Sequence, residues 1–215
     1  MATAVRVTGS PVSPVHLSRG PFGEAVVERI NSRFPGRQLD TVSRLRREIT
    51  ETDVDFIVVA LWRVSRSLCA EVDDIAYATG VPWILIAQEE GTIKVGPQVT
   101  PGSQAACWHC YYSRRVQHDR TWPTTHALHS AYEQDDDIGP GGLLPHHVRI
   151  AAAVACQSIT RHNVDTGSTG VVTIDQTTTH LRSDPVTGCH GCPRCHAPTL
   201  SATPDTVEAT GRSHG

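Results

Sequence analysis

Two short apolar segments joined by a helical pattern constrain the fold of this 215-residue chain most strongly. Residues 54–61 and 82–87 are almost wholly apolar and rich in β-branched side chains, which is typical of strands buried on both faces of a parallel sheet. Between them, a helical pattern starts behind Ser67, a predicted N-cap, and ends at Gly80, a predicted stop. Its apolar positions are Leu68, Val72, Ile75 and Ala76. Strand, helix and strand form a βαβ unit with a right-handed crossover, so the sequence predicts an α/β fold.

Weaker patterns predict the other elements of the fold. The elements expected before the βαβ unit are a short strand at residues 5–8, which residues 9–14 cannot continue, and helices at residues 25–34 and 41–49. Those expected after it are a third short strand at residues 93–97 that ends at its own proline, a helix at residues 144–163 and a terminal hairpin at residues 170–181.

Composition divides the chain into three parts. Residues 1–50 are predicted to form a short N-terminal region, which folds either alone or only against a partner chain. Residues 51–196 hold the main domain, and the stretch 119–142, rich in Asp, Gly, Pro and His, is predicted to be a long mobile connection within it. Residues 197–215 carry Pro, Ser, Thr and Gly without periodicity, which predicts a disordered tail.

Two Cys-x-x-Cys pairs are the strongest chemical signal. Cys107 with Cys110 and Cys192 with Cys195 offer four thiolates, and the spacing lets both sulfurs of each pair reach one ion. We therefore expect a structural, tetrahedral zinc site that joins the middle of the chain to its C-terminus. The alternative is that either pair is a redox dithiol, although a thioredoxin-like pair should begin a helix just after a first strand.

Other candidate ligands are weaker. Cys189 is a spare ligand three residues before Cys192, and we prefer Cys192 with Cys195 because they form the regular pair. Cys69 and Cys156 lie on predicted helices and are expected to be small core residues. The remaining candidates, expected to be solvated rather than ligands, are the histidines His118, His126, His129, His146 and His147 and the acidic run Asp135-Asp136-Asp137.

Composition and charge exclude several functions. The formal charge is −3, and 19 basic residues against 22 acidic ones create no field that would attract nucleic acid or a membrane surface. The longest apolar stretch, residues 56–62, is far shorter than the roughly 20 residues of a membrane span, so we expect a soluble protein. Seven cysteines, an odd number, indicate reduced thiols and a cytoplasmic location.

The motifs that cradle nucleotide phosphates are missing. The segment after the first predicted strand, Thr8-Gly9-Ser10-Pro11, lacks the glycine fingerprint of a dinucleotide-binding turn. Lys94 is the single lysine of the chain, and its neighbours Ile93 and Val95 do not form a P-loop. We therefore expect no nucleotide on this chain.

Taken in order, these features resemble the ThiF-like, ubiquitin-activating-type fold, and within it the cyclodehydratase C proteins of thiazole/oxazole-modified microcin biosynthesis. After the βαβ unit, Gly96-Pro97 and Pro101-Gly102 lead into the first cysteine pair, as in that family. Where the family has His-Pro-x-Cys-Pro-x-Cys, this chain has His190-Gly191-Cys192-Pro193-Arg194-Cys195. The resemblance spans about residues 53–196. It identifies the fold as a partial ThiF-like Rossmann-type parallel sheet with helices and a four-cysteine zinc site.

The resemblance implies a division of labour rather than catalysis by this chain. Such proteins are accessory scaffolds that bind a ribosomally made precursor peptide and partner a YcaO protein. The YcaO protein uses ATP to convert Cys, Ser or Thr into azoline rings, and a flavin dehydrogenase is a further partner that aromatises them. The family also carries an N-terminal winged-helix domain that binds the leader peptide, for which the residues before Asp53 are too few, so we expect a truncated scaffold. A homodimer is a candidate oligomeric state.

Two other functions remain open from the sequence. One is a ThiF-like adenylating enzyme, which needs ATP contacts and a nucleophilic cysteine. The other is a zinc-ribbon module that binds nucleic acid, for which Trp108, Tyr111, Tyr112 and Arg114-Arg115 form the single candidate patch.

Overall fold

The computed structural model describes residues 12–89, 91–103, 105–162 and 170–195. Its first half contains β1 (Pro14–Arg19), α1 (Gly20–Asn31), β2 (Arg37–Leu39), α2 (Val42–Glu51), β3 (Phe56–Leu61), α3 (Arg66–Thr79) and β4 (Trp83–Glu89). Its second half contains β5 (Thr92–Val99), α4 (Trp108–His118), α5 (Trp122–Gln134), α6 (Pro145–His162), β6 (Gly170–Asp175) and β7 (Leu181–Pro185).

The strands of the described residues form one mixed sheet in the order β2-β1-β3-β4-β5-β6-β7. The first four strands in this order are parallel, and β5, β6 and β7 continue the sheet in antiparallel pairs. The predicted α/β class, the βαβ unit and the terminal hairpin are therefore confirmed. The parallel arrangement stops after β4, because the connection from Glu89 to Thr92 is too short for a crossover and forces β5 to run antiparallel.

The N-terminal part of the chain contributes two neighbouring strands to this sheet, β2 at its edge and β1 next to it. β1 lies between β2 and β3, with Val15 opposite Ile57 and Leu17 opposite Val59. No strand was predicted at β1, which begins at Pro14, a position where proline is tolerated. The predicted strand at residues 5–8 lies outside the described residues. Strands β1 and β2, which precede residue 50, and β3, which follows it, belong to one sheet.

Helices cover both faces of the sheet, as the alternation of side chains on β3 requires. Ile57, Val59 and Leu61 point to the face covered by α2, α3 and α4, while Phe56, Val58 and Ala60 point to the face covered by α1 and α6. All six of these side chains are buried. A nearly continuous apolar run is therefore needed on β3, because neither of its faces meets water.

Three local predictions need correction. Residues 119–142 were expected to be a long connection, but they contain α5, whose only buried residues are Thr125 and His129 and whose apolar pattern is correspondingly weak. Helix α3 is capped by Ser65, two residues earlier than Ser67, while Gly80 ends it in the left-handed conformation with φ 75° as predicted. Strand β5 continues through Pro97 to Val99. The predicted tail, residues 197–215, lies outside the described residues.

None of the helices in the described ranges combines the length and the apolar character that crossing a bilayer requires.

Candidate functional site

The four cysteines of the two pairs come together at one end of the sheet. The Sγ atoms of Cys107, Cys110, Cys192 and Cys195 all lie within 4.8 Å of one another. Cys107 faces Cys192 at 3.7 Å, and Cys110 faces Cys195 at 3.4 Å. Among the described residues, this is the one group of three or more His, Cys, Asp or Glu side chains that could hold a metal ion.

The first pair sits at the start of a helix. Cys107 is the N-cap of α4, and Cys110 lies in the first turn. Both residues are buried, with 0% and 1% of their surface exposed, so their sulfur atoms have almost no contact with water. Burial raises the pKa of the Cys107 thiol, although a backbone hydrogen bond at the start of the helix acts in the opposite direction.

The second pair lies in a turn after β7. Burial opposes ionisation of Cys192, but hydrogen bonds from the backbone N–H groups of Cys195 and Arg194 outweigh it and lower the Cys192 pKa to about 7. Burial raises the pKa of Cys195 to about 11. One pair therefore combines a thiol that ionises near neutral pH with one that needs a neighbouring cation to do so.

Cys189 supports the cluster through its backbone rather than its thiol. Its N–H donates to the Sγ atom of Cys110 at 3.1 Å, and its carbonyl accepts from the N–H of Cys192 at 3.1 Å. Its own thiol points to the carbonyl oxygen of Cys110 at 3.8 Å. Cys69 and Cys156 are buried in the two apolar cores, as expected.

Asp73 on α3 joins the two cysteine pairs, and no sequence motif pointed to it. Its carboxylate is wholly buried and accepts from Arg194, which lies between the cysteines of the second pair, at 3.0 Å. His109, between the cysteines of the first pair, lies 3.7 Å from the same carboxylate, and the Trp108 backbone N–H also donates to it.

The indole N–H of Trp83 completes the surroundings of Asp73, donating at 3.1 Å. Burial raises the pKa of Asp73 despite the opposing effect of these partners. The sequence did contain one indication that Asp73 is unusual. It lies four residues after Cys69 and three before Ala76, so its carboxylate is on the apolar face of the helix.

A crevice lies at the carboxyl ends of β1 and β3, where the strand order reverses. Open α/β sheets bind their ligands at this position. Here the crevice is filled by the chain itself. The Trp62 indole lies so close to Gly20 and Gly139 that a Cβ atom on either glycine would come within 2.6 Å of it. The cavity that remains there measures about 220 Å³, below the roughly 300–1,000 Å³ of small-molecule sites.

Two charged side chains hold the segment that fills the crevice. The Arg63 guanidinium donates to the carbonyl oxygens of Asp135 and Ile138 and to the carboxylate of Asp136 at 3.1 Å. The Glu133 carboxylate accepts from the backbone N–H and the hydroxyl of Ser67 at the start of α3. The anion position of that helix N-terminus is thus occupied by a side chain of the same protein.

The histidines divide into two groups. His118 and His126 are exposed, as expected, and so is His146. His129 and His147, expected to be solvated, are buried instead. The acidic run is exposed, as expected, and Asp136 also pairs with Arg63 although its side chain is 92% exposed.

Comparison of the sequence with protein-family models and with curated proteins finds no match. The fold does match solved structures. A heterocyclase in complex with substrate and cofactor is 16% identical, with a TM-score of 0.62 over 88% of this chain and 26% of that chain. The heterocyclase TruD is 18% identical, with a TM-score of 0.59 over 86% of this chain and 28% of that chain. This chain therefore spans about a quarter of the length of these heterocyclases.

The third likeness is to the E. coli microcin synthetase McbBCD complex, 15% identical with a TM-score of 0.61 over 87% of this chain and 71% of that chain. The same complex with pro-MccB17 bound matches with 13% identity and a TM-score of 0.57, over 89% of this chain and 73% of that chain. At these identities the likeness is one of fold, and at that level it confirms the resemblance drawn from the sequence.

Proposed function

We propose that this protein is an accessory subunit of a complex that forms azoline rings in a ribosomally made peptide, and that it does not itself catalyse ring formation. The observation that carries the proposal is the fold likeness, which extends over 86–89% of the chain to two heterocyclases and a microcin synthetase. In this proposal the chain binds the precursor peptide and docks on a YcaO protein, with a flavin dehydrogenase as a further partner.

The four cysteines hold a structural zinc ion in this proposal. A tetrahedral site with Zn–S bonds of about 2.3 Å places its sulfurs roughly 3.8 Å apart. The separations of 3.7 Å and 3.4 Å are near that value, and all four sulfurs lie within 4.8 Å of one another. Four thiolates leave no open position on the ion, so the ion stabilises the fold and takes no part in a reaction. Reduced thiols require a reducing compartment, which supports a cytoplasmic location.

The filled crevice supports the absence of a nucleotide from this chain. Trp62 and the segment held by Arg63 occupy the position where an adenylating enzyme of this fold class would need its nucleotide. ATP-dependent chemistry therefore belongs to the YcaO partner. A titration of the purified chain with labelled ATP checks this point, because saturable micromolar binding would restore the adenylating alternative.

The proposal is tested by isolation of the tagged chain from its host without chelator. Mass spectrometry should identify a YcaO protein and a precursor peptide in the same sample, with about one zinc ion per chain. Mixing the isolated components with ATP should then remove water from the precursor peptide, and omission of this chain should slow that loss. A chain that purifies alone, and whose omission leaves ring formation unchanged, would refute the proposal.

A further inference from the structure

A basic groove lies between α4 and the antiparallel end of the sheet. It encloses about 480 Å³. Its charged lining consists of Lys94, Arg114, Arg115, Arg182 and Asp184, and His118 also lines it. Because the whole chain carries a net charge of −3, this concentration of cations is local and does not reflect the composition.

The register of the strands explains how the cations converge. Lys94 on β5 is opposite Thr173 on β6, which in turn is opposite Arg182 on β7. Residues opposite each other share a face of the sheet, so both basic side chains start from one row beneath α4. The second wall consists of α4 residues at spacings of three and four, which place them on one side of the helix. They are Tyr111, Arg114, Arg115 and His118.

Some of these charges are already balanced and others are not. Arg115 pairs with Glu89, and Arg182 pairs with Asp184 at 2.8 Å. Lys94 donates to the Thr173 hydroxyl at 2.9 Å but forms no ion pair with any described residue. Arg114 donates to the Gly188 carbonyl at 3.3 Å, and its buried Nε atom has no hydrogen-bond partner among the described residues.

The groove also has an apolar part. Tyr111, Val171 and Val186 line it together with Lys94 and Arg114. On one side the groove borders β7, which is the last strand in the sheet order. A peptide can therefore enter the groove from that edge. A compact phosphate would use the charges but not this apolar surface, whereas a peptide segment that alternates acidic and apolar side chains uses both.

We infer that this groove binds a segment of a peptide that carries both carboxylate and apolar side chains, with Lys94 and Arg114 as the cations that recognise the carboxylates. The inference rests on the proposed function in one respect, since it takes the ligand to be a peptide. It goes beyond the proposed function by stating where on the molecule the peptide binds and which side chains recognise it.

The cysteine cluster adjoins both walls of this groove along the chain. Helix α4 starts directly after Cys107, and the opposite wall, residues 184–187, leads to Cys189 and Cys192. A metal ion bound by both pairs therefore fastens the two walls together, and the hydrogen bond from Arg114 to Gly188 connects them a second time.

The test uses the full chain with its metal and a fluorescein-labelled peptide in which Glu alternates with Val. Fluorescence anisotropy should show saturable binding that weakens as the salt concentration rises. A peptide with Gln in place of Glu, and a peptide with Ser in place of Val, should each bind at least about fivefold more weakly. Equal binding of the Gln peptide would overturn the role of charge.

Variants locate the binding. Lys94→Met and Arg114→Gln should each weaken binding about three- to fivefold, and together by about tenfold or more. Arg149→Gln is the matched control, because Arg149 is exposed on α6 at the opposite face of the sheet. Unfolding temperature and zinc content are measured for every variant. If Lys94→Met does not fold, Arg114→Gln and the comparison of peptides on the unaltered chain decide the question.

Tripolyphosphate and single-stranded RNA are offered as competitors. If the groove prefers a peptide, each competitor should displace the Glu/Val peptide only at concentrations far above that of the peptide. Displacement at equal or lower concentration, or an effect of Arg149→Gln as large as that of Arg114→Gln, would overturn it. If the peptide fails while the YcaO protein still co-purifies with the chain, the groove inference falls and the proposed function stands. If the peptide binds but no complex with a YcaO protein forms, the groove inference stands and the proposed function falls.

Discussion

Arg194 donates a hydrogen bond at 3.0 Å to Asp73, a carboxylate that is wholly buried although it lies 121 residues earlier in the chain. The same guanidinium contacts Asp74 and lies over the ring of Tyr77 at 5.0 Å. Since Arg194 stands between Cys192 and Cys195, this contact fastens the second cysteine pair to α3 independently of any metal ion. The cluster is therefore held both by its sulfurs and by a buried carboxylate behind it.

Replacement of Asp73 should destabilise both the fold and the cluster. In Asp73→Asn the amide can still accept from Trp83, but its NH2 group would face the Arg194 guanidinium, donor against donor. We expect a loss of about 1–3 kcal/mol in the free energy of unfolding and weaker zinc retention against a chromophoric chelator. Asp74→Asn is the control, since that side chain is 60% exposed and contacts the same arginine. Equal effects of the two variants would contradict the role assigned to Asp73.

Loss of a cysteine from the four-cysteine cluster should unfold part of the molecule if the proposed zinc ion is bound there. Cys107→Ser and Cys192→Ser should each release the metal ion and cost several kcal/mol of folding free energy, lowering Tm on the order of 10 °C. Zinc content and thermal unfolding are measured on the same samples.

The controls for that experiment are Cys189→Ser and Cys156→Ser. Cys189 contributes its backbone N–H to the Cys110 sulfur, and a serine there keeps that bond. Zinc content should therefore remain at the level of the unaltered chain in both controls. A loss of zinc in Cys189→Ser as complete as in Cys192→Ser would reassign the fourth ligand.

The packing of Trp62 predicts different costs for two glycines of similar backbone conformation. Gly20 and Gly80 have φ values of 71° and 75°, so an alanine at either pays the left-handed penalty of about 1–2 kcal/mol. A Cβ atom at Gly20 would also lie 2.3 Å from the Trp62 indole, whereas the space around Gly80 is open. Urea unfolding should show Gly20→Ala to be about 1–3 kcal/mol less stable than Gly80→Ala. Equal stabilities would mean that Trp62 does not fill the crevice.

His16 should make the stability of the fold depend on pH. It is wholly buried on β1, where its Nε2 atom lies 3.1 Å from the Phe34 carbonyl oxygen. Burial lowers its pKa below the usual 6.5, although the contact with Phe34 acts in the opposite direction. As the pH falls below 6.5, the unfolded chain takes up a proton that the folded chain resists. Titration of His16 therefore leaves the free energy of unfolding unchanged above pH 6.5. Below that pH the free energy of unfolding falls, by at most about 1.4 kcal/mol per pH unit.

The measurement is urea unfolding of the unaltered chain and of His16→Asn between pH 5.5 and pH 7.5. Because both proteins carry the same cysteines and the same His147, the difference between their unfolding free energies isolates His16. We expect the unaltered chain to lose more unfolding free energy than His16→Asn as the pH falls from 7.5 to 5.5. A constant difference would show that His16 does not titrate with a lowered pKa.

Local patterns were sufficient for the part of the fold in which neighbours along the chain decide the structure. The apolar runs at residues 54–61 and 82–87, with a helical pattern between them, predicted β3, α3 and β4. The signal was strong because β3 is buried on both faces, so every one of its positions must be apolar. In the same way, the spacing within each cysteine pair is a local property, and it identified the four residues that the structure brings together.

Weak apolar patterns led to wrong or missing predictions at two elements. Helix α5 buries only Thr125 and His129, so its sequence lacks an apolar stripe and its residues were expected to form a connection. Strand β1 starts at a proline, and its buried histidine breaks the apolar run that would have marked it. In both cases tertiary contacts stabilise an element that its own sequence specifies poorly.

The sequence by itself therefore determined the α/β class, the central βαβ unit and the identity of the clustered cysteines, because each depends on residues within a few positions of one another. Only the tertiary structure decided that Asp73 lies behind both cysteine pairs, that Trp62 fills the crevice and that Lys94 and Arg114 face one groove. Those arrangements join residues 20 to 121 positions apart. No local period encodes them, since they arise from the order of the strands and the packing of the helices on the sheet.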